Sequence, residues 1–415
     1  MLVSARVCQS QLERHGRGRG VLQELLNRNL LLLFGCQVIF VSGTVVLVTV
    51  GGIIGSTLSP DARFATLPVA LMVVGTALAT VPAAFTMQAV GRRWGFMVGV
   101  TLAATGAFIA HNAVAQESFV LFCVATAFMG SALGFSAQLR FAAAESVSPQ
   151  SVSYAVSFLL MGSILGAIVS PEVIAYSAAQ SPETPYASVF VLLIGLYFVA
   201  ALFLLGVRTS TIVEENVGQV SRPFSVVVRQ PIFITAVLAG MVGQGVMTYV
   251  MTATPMSMNL DSGYSIQETS EVVRAHVIAM YLPSLFTPFL ISRFGLSTMM
   301  AVGTVAMAAT IGVGLLGHHY MHYWWSMVLL GVGWNFLFVS GTTMLTQTYR
   351  PEERFRSQAV NDFGVFSASA LASLLAGSML HTFGWDTLLY SGIPALLLML
   401  AAVVWLRSRP VPSQA

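Results

Sequence analysis

Twelve largely apolar stretches, each on the order of the ~20 residues that a helix needs to cross a bilayer core, occupy most of this chain. They fall near 29–57, 65–88, 96–112, 118–140, 152–176, 187–207, 231–257, 275–292, 298–316, 323–346, 359–380 and 387–406. Backbone in hydrocarbon must satisfy its own hydrogen bonds, so repeated apolar runs of this length specify helices packed in a membrane. The charge content closes the soluble alternatives. Only 8% of the 415 residues are Asp, Glu, Lys or Arg, against ~25% in an ordinary soluble protein. A cytosolic enzyme, a nucleic-acid binder and a disordered chain are all excluded.

The basic residues set the expected orientation. All nineteen are Arg, and seventeen of them fall before the first stretch, in alternate loops, or after the last one. Only Arg63 and Arg274 lie on the opposite side. Because basic residues are retained on the cytoplasmic face, both termini are expected there, in a bacterial inner (plasma) membrane. The leading apolar run is far longer than a signal-peptide core, so the N-terminal stretch reads as a first span and not as a cleaved leader.

The longest charged interruption, residues 208–230, divides the stretches into six and six. The sequence therefore reads as an Arg-rich tail (1–28), a first bundle (29–207), a linker (208–230), a second bundle (231–407) and a short tail (408–415). A shift of about 204 residues lays MQAVGRRWGFMVG (87–99) against ISRFGLSTMMAVG (291–303) and brings Gly91 onto Gly295. Such an offset points to duplicated halves. Proline inside the stretches, including Pro82, Pro171, Pro283 and Pro288, is expected to bend helices that neighbours then support.

At this point the chain resembles the major facilitator superfamily. That family carries a Gly-x-x-x-Asp-Arg-x-Gly-Arg-Arg pattern between its second and third spans. Residues 84–93 match the Gly-Arg-Arg end with Gly91, Arg92 and Arg93, but hold Gln88 and Ala89 in place of Asp and the first Arg. The stretches VMTATPMSM (250–258), HVIAMYLPS (276–284) and YRPEERFRSQAVNDFGVF (349–366) are similar to one bacterial branch of these permeases. The resemblance implies an all-α fold of twelve transmembrane helices in two pseudo-symmetric six-helix bundles, and solute transport by alternating access. It implies no particular substrate, since similar permeases move different solutes.

In that fold, spans 1, 4, 7 and 10 line a central cavity. Near the middle of three of these spans stand Gln37, Thr44, Gln244, Thr248, Tyr249, Trp334 and Asn335. Amides, hydroxyls and rings without a full charge suit a neutral, zwitterionic or aromatic organic solute. The same residue types also serve as interhelical hydrogen-bonding groups in any bundle. Ionisable residues at the span ends are few: Arg92, Arg93, Arg140, Asp362, Glu172 and His276. Asp362 is expected to lock the arginine-rich face by pairing with Arg92, Arg93 or Arg140, with proton carriage as the other reading. Gly162, Gly166 and Pro171 resemble the Gly-rich span 5 pattern of antiporters, which would seal the interface between bundles and leans towards efflux.

No phosphate-cradling loop is present, and its Lys is missing from the whole chain, so ATP is not the expected energy source. Cys8, Cys36 and Cys123 show no paired metal-ligand spacing; two of His318, His319 and His322 are spaced to bind a metal, but no Cys or carboxylate accompanies them closely, so they read as a solvated loop. The expected partners are a small-molecule solute, protons and membrane lipid, with no nucleic acid, no cofactor and no metal, and the chain is read as a monomer. Export of a small organic compound on a proton gradient is the first expectation. Uptake of a nutrient or vitamin is the second, and a channel or sensor the reading from another class.

Overall fold

The computed structural model describes residues 24–60, 64, 67–180, 185–208 and 222–409. The tail arginines Arg6, Arg14, Arg17 and Arg19, with Cys8, Arg63 and the linker acids Glu214 and Glu215, lie outside the described residues. Among the described residues nine helices are long and apolar enough to cross a membrane, and a tenth span is a bent pair. Two of the nine are continuous only by hydrogen bonding. Leu67–Ala115 reverses at Gly91 (φ 84°) and Arg354–Arg407 at Gly384 (φ 77°). Either side of each glycine is long enough for a span of its own, and counting them separately gives the twelve spans read from the sequence.

The spans are α1 (Arg28–Leu58), α2 (67–90), α3 (92–115), α4 (Phe119–Ser136), α5 (Val152–Gln180) and α6 (Pro185–Gly206). The second half comprises α7 (Pro231–Met256), α8 (Ile266–Tyr281 with Thr287–Phe294), α9 (Leu296–Gly314), α10 (Tyr320–Leu345), α11 (354–383) and α12 (385–407). The buried apolar residues separate into two cores. One runs from Leu30 to Val207 and admits only Phe355 from the second half. The other runs from Val227 to Val403 and admits Phe141, Ala144, Val152, Val156 and Leu160 from the first.

The duplication is visible in the backbone. Gly91 (φ 84°, ψ 163°) and Gly295 (φ 81°, ψ 159°), 204 residues apart, adopt the same left-handed turn after the second span of their halves. Only glycine enters that region without strain, which is why the Gly of the loop pattern persists although Gln88 and Ala89 replace its charges.

Span 8 differs from the single helix read over 275–292. Its two helices meet at 53° across the turn Leu282–Leu285. Pro283 and Pro288 lie five residues apart and each removes a helical N–H, so the helix cannot run straight through both. Thr287 Oγ1 donates to Asn335 Oδ1 across to α10, and a second bond runs to the Pro283 carbonyl (2.7 and 2.9 Å), satisfying polar atoms at the break.

The glycines of span 5 also act differently from expectation. A Cβ at Gly166 would sit 2.7 Å from the Val38 carbonyl, and one at Gly162 3.3 Å from Phe34. Both face α1 inside the first half, where Ser42 Oγ donates to the Gly166 carbonyl (3.1 Å). They close α1 onto α5 and do not seal the two halves together. Glycine has the same use between α2 and α4. A Cβ at Gly130 would lie 2.1 Å from the Met72 carbonyl oxygen, a backbone atom that cannot move aside. Gly130→Ala should therefore destabilise the protein by about 1–3 kcal/mol, read as a lower melting temperature in detergent. Gly195→Ala, which meets nothing within 4 Å, should leave the melting temperature unchanged.

Candidate functional site

Among the described residues, two gatherings of polar and charged side chains lie where the halves meet. The first is a latch at the arginine-rich end. The turn at Gly91 brings the Arg92 guanidinium inward, where it is buried. It donates to Glu145 (2.6 and 3.2 Å), to Gln138 Oε1 (2.9 Å) and to Gln358 Oε1 on α11 (2.6 Å). Arg140, in the short helix Leu139–Ala144 beyond α4, pairs with the fully buried Asp362 of α11. Asp362 also accepts from Gln138 Nε2 (2.6 Å) and Asn361 Nδ2 (2.9 Å). The exchange is reciprocal, because Glu145 of the first half receives Arg354 of the second at 3.5 Å. Gln358 Nε2 reaches both Glu145 (3.3 Å) and the Tyr349 hydroxyl (2.8 Å).

The electrostatics around Glu145 favour its charged form at neutral pH. Burial acts to raise the Glu145 pKa, but Arg92, Arg354 and Gln358 together outweigh it and hold the group below the ordinary value of 4.5. A lowered pKa gives stabilisation that is present above 4.5 and lost as pH falls through the shifted value. Melting temperature should thus drop on acidification below about pH 4.5, and the drop should be smaller in Glu145→Gln. An equal fall in both proteins would show that Glu145 does not carry the effect.

The second gathering lies near the middle of the spans. Gln37 Nε2 on α1 donates to Ser163 Oγ on α5 (3.0 Å), and Tyr281 of α8 lies close to Ser163. Tyr281 meets the Trp334 indole edge to face (5.8 Å, 85°). Trp334 Nε1 donates to Gln244 Oε1 on α7 (2.9 Å), and its ring stacks on Phe338 one turn further along α10 (4.6 Å, 17°). Gln244 Nε2 then faces Thr248 Oγ1 (3.4 Å), whose hydroxyl bonds Ser369 on α11 (2.8 Å). Phe34 and Phe158 stack at 4.7 Å on the α1–α5 side. Amides, hydroxyls and rings thus line up from α1 to α11, bonded or stacked within each half and adjoining at Ser163 and Tyr281, and no charged group is a member. A separate cleft of about 460 Å3 opens beside the latch, lined by Asn29, Arg92, Glu145, Arg208, Tyr349 and Arg354 among others. None of the mid-span residues contributes to it.

The remaining residues singled out from the sequence lie elsewhere. Thr44 bonds the Phe40 carbonyl of its own helix, and Tyr249 faces Ser391 on α12, away from the chain just described. Asn335 is fully buried and holds α10 to the broken α8 through the Met280 carbonyl, Ser284 and Thr287. Arg93 stacks over the exposed Trp94 and takes no part in the latch. Glu172 is exposed on α5. His276 is fully buried and bonds the Met327 carbonyl through Nδ1 (2.8 Å), with no part in the latch.

Several latch and mid-span residues carry no isolated sequence signal: Gln138, Glu145, Gln358, Tyr281 and Phe338. Glu145 is the one acid in a loop otherwise full of small residues, and Arg354 sits in the YRPEER stretch. Their pairing becomes apparent only once α11 lies against the end of α4.

Two helical bundles of one chain, latched by charge at one end and meeting through amide, hydroxyl and aromatic side chains in the middle, define the fold of a membrane transporter. The profile of the Major Facilitator Superfamily matches residues 32–266 and 246–415. The chain belongs to that superfamily, whose members carry small solutes across membranes. It is 34% identical to the riboflavin transporter RfnT of Brucella anthropi, over 92% of this chain and 96% of that one. It is 26% identical to the uncharacterized MFS-type transporter YddS of Bacillus subtilis, over 92% and 91% of the two chains. Among solved structures, the fold is similar to the transporter FucP in the outward conformation (TM-score 0.73, 14% identity, 92% and 99% coverage). It is also similar to the human organic anion transporter MFSD10 (TM-score 0.76, 12% identity, 91% and 99% coverage).

Proposed function

We propose that this chain takes up riboflavin, or a closely related neutral planar heteroaromatic, across the bacterial inner membrane. The arginine-rich end faces the cytoplasm, so the latch of Arg140, Asp362, Arg92 and Glu145 closes the cytoplasmic side while the solute enters from outside. The observation that carries the reading is the uncharged chain of Gln37, Ser163, Tyr281, Trp334 and Gln244 between the halves. A flavin ring offers flat apolar faces for stacking and an imide edge that both donates and accepts, which is what two Gln amides and a Trp–Tyr pair bind. The 34% identity to a riboflavin transporter along nearly the whole chain supports the same solute.

Uptake displaces export as the preferred direction. The export expectation leaned on small residues of span 5 sealing the bundles, and Gly162 and Gly166 face α1 within one half. Asp362, engaged by Arg140, Gln138 and Asn361, reads as a gate residue and not as the proton carrier.

The test is riboflavin entry into proteoliposomes and into riboflavin-requiring bacteria that express the chain. Saturable entry, with flavin fluorescence quenched on binding to the purified protein, is the expected result. Binding without inward flux, together with loss of flavin from preloaded cells, would reverse the direction. Absence of binding would remove riboflavin as the solute.

A further inference from the structure

The latch and the solute chain are not separate. Phe338 lies between them. The Trp334 ring stacks 4.6 Å from the Phe338 centroid, and the Arg140 guanidinium carbon lies 4.5 Å from the same centroid. Indole and guanidinium therefore both pack against the one Phe338 ring. The Phe141 ring lies against the same guanidinium at 4.8 Å. Its Nε is buried without an acceptor, so its orientation depends on Asp362 and on these two rings. The contacts run without a gap from Gln244 on α7, through Trp334 and Phe338 on α10, to Arg140 of the first half and Asp362 on α11.

We propose that Phe338 is the positioning residue that transmits solute occupancy at Trp334 to the Arg140–Asp362 latch. A solute that stacks on the indole, or takes the Gln244 amide from it, shifts Trp334. Phe338 cannot follow Trp334 and still cover the guanidinium, because one rigid ring serves both. The cation–π contact is then lost, and a buried Arg depends strongly on each partner it keeps. A latch weakened in this way opens the cytoplasmic side only when solute is present. The proposal rests on Trp334 being part of the solute site, and it adds a residue that touches neither solute nor carboxylate.

The experiment uses the full chain with Ser357→Cys as a reporter, since Ser357 is buried beside the latch on α11, and a membrane-impermeant maleimide applied from the cytoplasmic side. Without any solute, Trp334→Ala should raise the labelling rate of Cys at 357 several-fold, by about 5-fold or more. In a Phe338→Leu background the same Trp334→Ala change should add less than about 2-fold, because the link is already cut. With riboflavin, Phe338→Leu should keep the half-saturating concentration within about 2-fold but lower turnover at least about 10-fold and abolish solute-stimulated labelling. Phe338→Tyr, which keeps the ring, should restore both. Equal effects of Trp334→Ala with and without Phe338 would overturn the proposal. So would a Phe338→Leu protein whose turnover and stimulated labelling match wild type. Failure of riboflavin to bind the wild-type protein would sink the choice of solute and leave the solute-free labelling comparison as the deciding result.

Discussion

Asp362→Asn is expected to leave the protein folded yet open its cytoplasmic side at rest and slow transport by at least about 10-fold. The carboxylate is fully buried and receives Arg140, Gln138 and Asn361. Removing one partner of a buried pair leaves the other charge uncompensated, at a cost of about 3–5 kcal/mol. Unfolding is not the cheapest escape here. Parting the halves rehydrates Arg140 directly, so the cost shifts the alternation equilibrium, and 3–5 kcal/mol corresponds to a factor of about 150–4,000. Cytoplasmic labelling of a Cys placed at Ser357 should rise accordingly. Arg140→Gln should behave similarly, whereas Arg140→Gln with Asp362→Asn should recover part of the closed state. In that double variant two neutral amides of similar shape replace the ion pair and no charge is stranded, so the effects are non-additive. Wild-type labelling and rate in Asp362→Asn would dismiss the latch.

The sequence revealed depth along each span far better than the direction a side chain points. Apolar stretches and the asymmetry of arginine positions locate the helices, and the scarcity of acids at the span ends draws attention to Asp362, with Arg92, Arg93 and Arg140 as its candidate partners. Thr44, Tyr249 and Asn335 show where such reasoning stops. All three lie at the depth of Gln244, yet one bonds its own helix, one faces α12 and one fastens α8. A helix in a bundle within lipid is apolar nearly all round, so no polar face marks the side turned to the cavity. Glu172 and His276 were grouped with the gate for the same reason, as ionisable residues near span ends whose neighbours the sequence does not display. Gln138, Glu145 and Gln358 are ordinary residues in polar loops or helix starts. Their function comes from a contact more than 200 residues apart in the chain. The broken span 8 was legible in principle, because Pro283 and Pro288 fall on consecutive turns. Apolar length alone merged the pieces.

The adjacent pair Trp334 and Asn335 offers the sharpest separation of solute binding from folding. Trp334→Ala should weaken flavin binding by about 10–100-fold, the ~1–3 kcal/mol found when an aromatic stacking platform for a heteroaromatic base is truncated. The substitution also strips Gln244 Oε1 of its donor (2.9 Å), freeing the amide to turn towards Thr248 and away from the solute. Trp334→Phe should fall between, keeping a ring face but not the N–H. Asn335→Ala should do the reverse. Its amide is fully buried and serves Met280, Ser284 and Thr287. Removing it leaves the Met280 carbonyl without that donor and loosens the break in α8, at about 1–3 kcal/mol for each buried group left unsatisfied. The melting temperature should drop while flavin affinity stays within about 2-fold, since none of those bonds faces the chain from Gln37 to Gln244. Titration of purified protein by flavin fluorescence, alongside thermal unfolding of each variant, distinguishes the two. Should Asn335→Ala lose affinity while Trp334→Ala keeps it, the solute would lie on the α8 side of α10 and the proposed site would be misplaced by one face of that helix.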